Sequence, residues 1–317
     1  MRDSIGAAAR QNECVKVQQR DRMKGAVMKT DSTEDIILKY SARGMPVLRQ
    51  YLAEHYCRQA AEEILTWPKG CVVLTTGFYV NGAAETDGPS GTAVVAKALQ
   101  GLGYRPVIVT DENCKGYFEP ERIETVYLSM QADDDSCRTL LRNLNPVGMI
   151  SIERCGKNVK EDYANMRGIS IREHTAPCDR MFELCEVPTI GVGDGGNEIG
   201  MGNLKDVILE KLELTPCRIR TDRLVIATVS NWGAYGIASE LEALTGKTVF
   251  SRIDGSHVTQ FVEDFLQRTV DLGSVDGLSG ERIVKVDGFE RSVELEILSL
   301  LASKLKRNPR PDQSFQR

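Results

Sequence analysis

Short, almost uniformly apolar runs recur along the chain with room for a helix between neighbours. They are CVVLTT (71–76), PVIVT (106–110), VGMISI (147–152), PTIGV (188–192) and LVIATV (224–229), with KTVFSRI (247–253) as a candidate sixth. Runs without polar alternation suit strands buried on both faces of a parallel sheet. Amphipathic segments fill the gaps. SGTAVVAKALQGLG (90–103) has an Ala/Val/Leu face and a terminal glycine, and SCRTLLRNLN (136–145) is similar. TAPCDRMFELCE (175–186) offers Thr175 as an N-cap and Pro177 in the first turn. NLKDVILEKLE (203–213) and AYGIASELEALTG (234–246) complete the series. This alternation predicts an α/β fold: a doubly wound, mostly parallel sheet with helices on both faces and right-handed crossovers.

The flanks read differently. Residues 33 to 65 predict an N-terminal helical segment, and 274–290 predicts a hairpin with Asp-Gly turns, followed by a final helix over 291–306. With no repeats and no low-complexity linker, the expected organisation is a single domain over 31–306. A frayed extension (1–30) and a polar tail (307–317) flank it. No apolar run approaches the roughly 20 residues of a membrane span, and a net charge of −5 gives no general attraction to nucleic acid or anionic membrane. Nine cysteines without a C-x-x-C pair, and no apolar signal centre, predict reduced thiols in a reducing compartment. The expected location is cytoplasmic, or the mitochondrial matrix in a eukaryote. The basic excess of the first 25 residues faintly suggests a presequence, which Asp3, Glu13 and Asp21 weaken.

Polar, glycine-rich segments follow five of the strands, at the sheet edge where ligands bind in this architecture. ETDGPSGT (85–92) precedes a helix whose free N–H groups favour an anion, with Gly91 permitting close approach and Ser90 and Thr92 adding hydroxyls. Equally, Asp87 and Ser90 there can act as simple caps. ERCG (153–156) places Glu153 and Arg154 directly after a buried strand, either to grip a carboxylate or as a structural pair. YANMRG (163–168) contributes Asn165 and Arg167, and SNWGAYG (230–236) contributes Asn231, Trp232 and Tyr235.

GVGDGGNEIGMGN (191–203) contains a literal G-x-G-x-x-G, but no helix follows its third glycine directly and no acid ends the next strand. A nicotinamide cradle therefore fails on context, and the oxygen spacing of an EF-hand is missing. What remains is a tight loop presenting Asp194, Asn197, Glu198 and Asn203, with two carboxylates whose surroundings can divide acid and base roles.

Together, TGFYVNG, AETDGPSGT, SIERCG, YANMRGI, TAPCDRMF, PTIGVGDGGNEIGMGN and SNWGAYG resemble the D-glutamate cyclase family over roughly residues 70 to 290. The chain departs from the family pattern at Ser90, where a second proline is common, and in the KED that precedes YANMRG. The resemblance implies closure of D-glutamate to 5-oxo-D-proline with release of water, a hydro-lyase reaction. The resemblance assigns no catalytic roles; from the residues themselves, the expected catalytic groups for that reaction are Asp194, Glu198, Arg154 and Glu153. Expected substrate contacts are Thr76, Gly77, Asp87, Ser90, Gly91, Thr92, Asn165, Arg167, Gly195, Asn197 and Asn231. Mg²⁺ on Asp87, Asp194 and Glu198 is a further expectation, with no other cofactor, no nucleic acid and no membrane partner; a homo-oligomer is compatible. Two other readings stand beside it: a phosphate- or nucleotide-handling enzyme, and a non-catalytic amino-acid-binding module on the same fold.

Overall fold

The computed structural model describes residues 31–307 except 42 and 213. The expected N-terminal extension and the tail beyond Arg307 lie outside the described residues. Six strands form the central sheet: β1 (Cys71–Thr75), β2 (Arg105–Thr110), β3 (Glu124–Tyr127), β4 (Pro146–Ile152), β5 (Thr189–Gly193) and β6 (Arg223–Ile226). Their order is β3-β2-β1-β4-β5-β6, and every neighbouring pair is parallel. The winding direction reverses between β1 and β4, and the crevice beyond the carboxyl ends of strands at such a point is where ligands settle.

β1 and β5 are buried at every position, as uniformly apolar runs require. The sixth strand is a correction. KTVFSRI contributes only Arg252–Ile253, paired with Ser256–His257 in a separate hairpin. The sheet's remaining strand is ETVY, an edge strand covered only in part and therefore under no demand for an apolar run.

Helix α1 (Pro89–Gly101) follows β1 and helix α2 (Ser230–Thr245) follows β6. They cross closely at Gly91, where a Cβ would stand 2.8 Å from Ala234 Cβ and 2.9 Å from Asn231 Cα. Glycine at 91 is thus a packing requirement. Helix α2 begins four residues earlier than the periodicity indicated, so Asn231 and Trp232 lie in its first turn. Thr175 does not cap a helix: that helix spans Cys178–Leu184, with Pro177 at its N-cap position and the Thr175 hydroxyl donating to Ile171 O. NLKDVILEKLE resolves into a 3₁₀ turn (Met201–Leu204) and a short helix (Lys205–Lys211).

The helical segment ahead of the sheet comprises Thr33–Ile37, Met45–Leu48 and Tyr56–Thr66. Towards the C-terminal end, Lys285–Val286 pairs with Phe289–Glu290 around Asp287 and Gly288, both left-handed, and helix α3 (Arg291–Arg307) follows. The eight described cysteines are all free thiols. Among the described residues no helix is long and apolar enough to cross a membrane.

Candidate active site

A cavity of about 980 Å³ opens at the carboxyl edge of the sheet. Five carboxyl groups line it: Glu85 from the segment after β1, Glu153 immediately after β4, Asp194 and Glu198 after β5, and Asp287 from the hairpin turn. The first four are buried, with at most 6% of each residue exposed. Side-chain oxygens of Glu153, Asp194 and Glu198 lie within 4.8 Å of one another, as do those of Asp87, Asp194 and Asp287. Arg43, from the connection between the first two short helices, enters this acidic floor. Its guanidinium stands 2.5 Å from Asp194 Oδ2 and also pairs with Asp287.

The carboxyls differ in what holds them. Glu198 accepts hydrogen bonds from the backbone N–H groups of Gly195 (2.8 Å) and Gly196 (2.7 Å). Burial pushes its pKa up, while these donors favour the carboxylate and pull it back. Glu153 accepts from Ser230 Oγ (2.6 Å) and sits in a left-handed backbone conformation, φ 45°. Burial, then the charges of Glu198 and Asp194, hold it well above the ordinary carboxylic range. Asp194 is raised by burial and lowered by Arg43. Two carboxyls this close cannot both carry full charge, and the environments favour a proton on Glu153 and the carboxylate at Glu198.

Several expected contacts do not reach the cavity. Arg154 is fully buried, donating to Thr76 O (3.3 Å), Gly77 O (2.7 Å), Asp111 Oδ2 (2.6 Å) and Ala176 O (2.7 Å). Its guanidinium braces the ends of β1 and β2. Thr76 and Gly77 serve that brace through their carbonyls. Asp111 is the brace's counter-ion. Ser90, Gly91, Thr92 and Asn231 are likewise consumed by the fold, whereas Asp87 accepts from Ser230 N and Asn231 N and still has an oxygen within 4.8 Å of those of Asp194 and Asp287. Asn231 Oδ1 accepts from Gly88 N (3.0 Å) and Gly91 N (2.8 Å), so the anion site expected at the start of α1 is already filled. Ser90 Oγ bonds the Tyr235 hydroxyl (2.8 Å), and Thr92 Oγ1 donates to Gly88 O (2.8 Å). Asn203 ties the glycine-rich loop to Thr221, away from the cavity.

Others do line it: Gly195, Asn197, Asn165 and Arg167 join Glu153, Asp194 and Glu198. Asn197 Nδ2 donates to Ala164 O (2.9 Å), linking the glycine-rich loop to the 163–171 segment. Asn165 Oδ1 accepts from Arg167 N and Ile169 N, which shapes that segment's turn. Arg43, Glu85 and Asp287 were not legible as site residues. Arg43 is one arginine in a helix connection, and Asp287 reads as turn chemistry. Glu85 opens the 85–92 segment, where Asp87, next to the turn, is the more conspicuous carboxylate.

The family model described as "D-glutamate cyclase-like, C-terminal" matches residues 34–302. The chain belongs to that family. The match spans the whole sheet, α1, α2 and every carboxyl of the cavity. A curated relative, the human protein named "D-glutamate cyclase, mitochondrial", is 30% identical over 209 residues. The matched stretch is 57% of this chain and 34% of the human protein, so the chain corresponds to about a third of that relative's length.

Proposed function

We propose that this chain closes D-glutamate to 5-oxo-D-proline, releasing water in the cavity that Glu153 and Glu198 share. The observation that carries this reading is the contrast between those two buried carboxyls: Glu198 held by backbone donors, Glu153 pressed towards its neutral form. The reaction needs both. The α-amine attacks the γ-carboxyl carbon, a C–N bond forms and a C–O bond breaks. The ammonium loses two protons and the departing oxygen gains two. Glu198 is the base that takes a proton from nitrogen, and Glu153 the acid that gives one to oxygen. Transfer between the two, whose oxygens lie within 4.8 Å, resets the pair. Curling the substrate so that nitrogen and carbon approach to about 3.5 Å supplies the entropic part of the acceleration. Arg43, the cation of the acidic floor, receives the α-carboxylate, and the carboxylates receive the ammonium. The human relative's name is consistent with this chemistry, and preference for the D-isomer rests on that relationship alone.

Mg²⁺ is a second form of the same reading, favoured by charge. Five carboxyls face one guanidinium on the floor, and Asp194 belongs to both carboxylate trios. Hard oxygen donors suit that ion, which would polarise the γ-carboxyl group. The test is direct: incubate the protein separately with D-glutamate, L-glutamate and ATP, and detect lactam or phosphate. Lactam from D-glutamate alone supports the reading; phosphate release, or neither product, removes it. Loss of turnover in chelator with recovery on Mg²⁺ supports the metal form, and unchanged turnover removes it.

A further inference from the structure

The cavity is larger and less polar at its mouth than a free amino acid demands. About 300–1,000 Å³ is the range that encloses drug-sized ligands, and this cavity lies at its upper end. Of the ten large apolar side chains exposed among the described residues, four line it: Met166, Ile169, Leu214 and Leu278. Tyr79 and His174, also lining residues, stack with ring centroids 4.3 Å apart and form an aromatic shelf. The apolar collar is held in shape, since Asn165 fixes the turn that presents Met166 and Ile169. Exposed apolar side chains gathered around one opening mark a binding surface.

Charge points the same way. D-glutamate carries a net charge of −1, whereas a γ-D-glutamyl amide is a neutral zwitterion. The lining sets five carboxyls against Arg43, Arg167 and Lys211, and Arg43 is already paired with Asp194 and Asp287, so the amide, with one carboxylate fewer, leaves one fewer anion to place.

We propose that the collar is a leaving-group subsite, and that the cavity takes γ-D-glutamyl amides of apolar or aromatic amines, cyclising them to 5-oxo-D-proline with release of the amine. This rests on the ring-closing reading above. The α-nitrogen attacks the γ-carbonyl carbon, a C–N bond forms and the C–N bond to the amine breaks. The ammonium sheds two protons: one goes to the departing nitrogen, the other to solvent. No oxidant or co-reactant is needed.

The test uses the full chain with γ-D-glutamyl-4-nitroanilide, following 4-nitroaniline release, beside D-glutamate, following lactam, each against an enzyme-free control. The expected result is a kcat/KM at least tenfold higher for the anilide. Ile169→Ser, at an exposed position, and Tyr79→Ala lower the anilide's value about tenfold and leave the D-glutamate value within twofold. Turnover of D-glutamate without the anilide overturns the subsite and spares the cyclase reading. Anilide turnover without lactam from D-glutamate supports the subsite and overturns the water-releasing reaction. Silence on both substrates overturns both, and equal losses on both substrates in the two variants overturn the subsite.

Discussion

Asp87 and Asn231 cap each other's helices. The Asp87 carboxylate accepts the N–H groups of Ser230 and Asn231, both at 2.8 Å, at the start of α2. In return the Asn231 side-chain oxygen accepts those of Gly88 and Gly91 at the start of α1. Helix starts leave N–H groups without intrahelical partners, and here two such ends are satisfied across the molecule, beside the reversal point of the sheet. Two residues that look like ligand contacts in the sequence therefore hold the site's frame.

Asn231→Ala leaves the buried Gly91 N–H without its acceptor, takes one of two acceptors from Gly88 N–H and removes the donor to Thr86 O, a loss of about 2 kcal/mol of stability. Urea denaturation checks the magnitude. A substrate-binding Asn231 would instead raise KM at unchanged stability, so measuring both separates the two roles.

The acid–base pair predicts a bell-shaped pH–rate profile. Glu198 must be ionised, so turnover falls on the acid side as it takes a proton. Glu153 must be protonated, so turnover falls on the alkaline side as it ionises. Both are raised by burial, which moves the optimum above the ordinary carboxylic range. Glu198→Gln and Glu153→Gln each lose about 10²-fold or more in kcat with the fold intact by circular dichroism.

Gly193 closes β5 against Glu198. A Cβ there would stand 2.8 Å from Glu198 Oε2 and 3.1 Å from its Cβ. Gly193→Ala displaces the base from its backbone donors, and the expected outcome is at least a tenfold drop in kcat, because small misplacements of a reacting group are costly. Unchanged kcat would show that the Glu198 position is not critical.

Glu294 on α3 is buried and accepts from Trp232 Nε1 and, at 2.8 Å, from the Tyr235 hydroxyl. Burial pushes its pKa from 4.5 up to about 7. Between those values the folded chain keeps a proton that the unfolded chain releases. Stability therefore falls as pH rises through that window, by up to about 3 kcal/mol. Glu294→Gln removes this contribution. From pH 4 to pH 8 the stability difference shifts in the variant's favour by about that amount, as denaturant titrations at the two pH values will record.

The sheet was legible where burial is complete. Five of its strands announce themselves because both faces are covered, and β3 does not because it sits at a half-covered edge. The polar segments after the strands were legible too, but not the direction of each side chain. Glu153 and Arg154 are adjacent; one enters the cavity and the other vanishes into the brace with Asp111. Arg43 and Asp287 join the floor from segments remote in sequence, with no spacing or motif to announce them.

Glu153 holds a backbone conformation that suits glycine better than a branchless acid. Such a residue costs of order 1 kcal/mol, which the surrounding structure must absorb. Evolution towards a sturdier molecule and evolution towards a working one thus pull in opposite directions at this position. A glycine there relaxes the chain and disarms it in the same stroke.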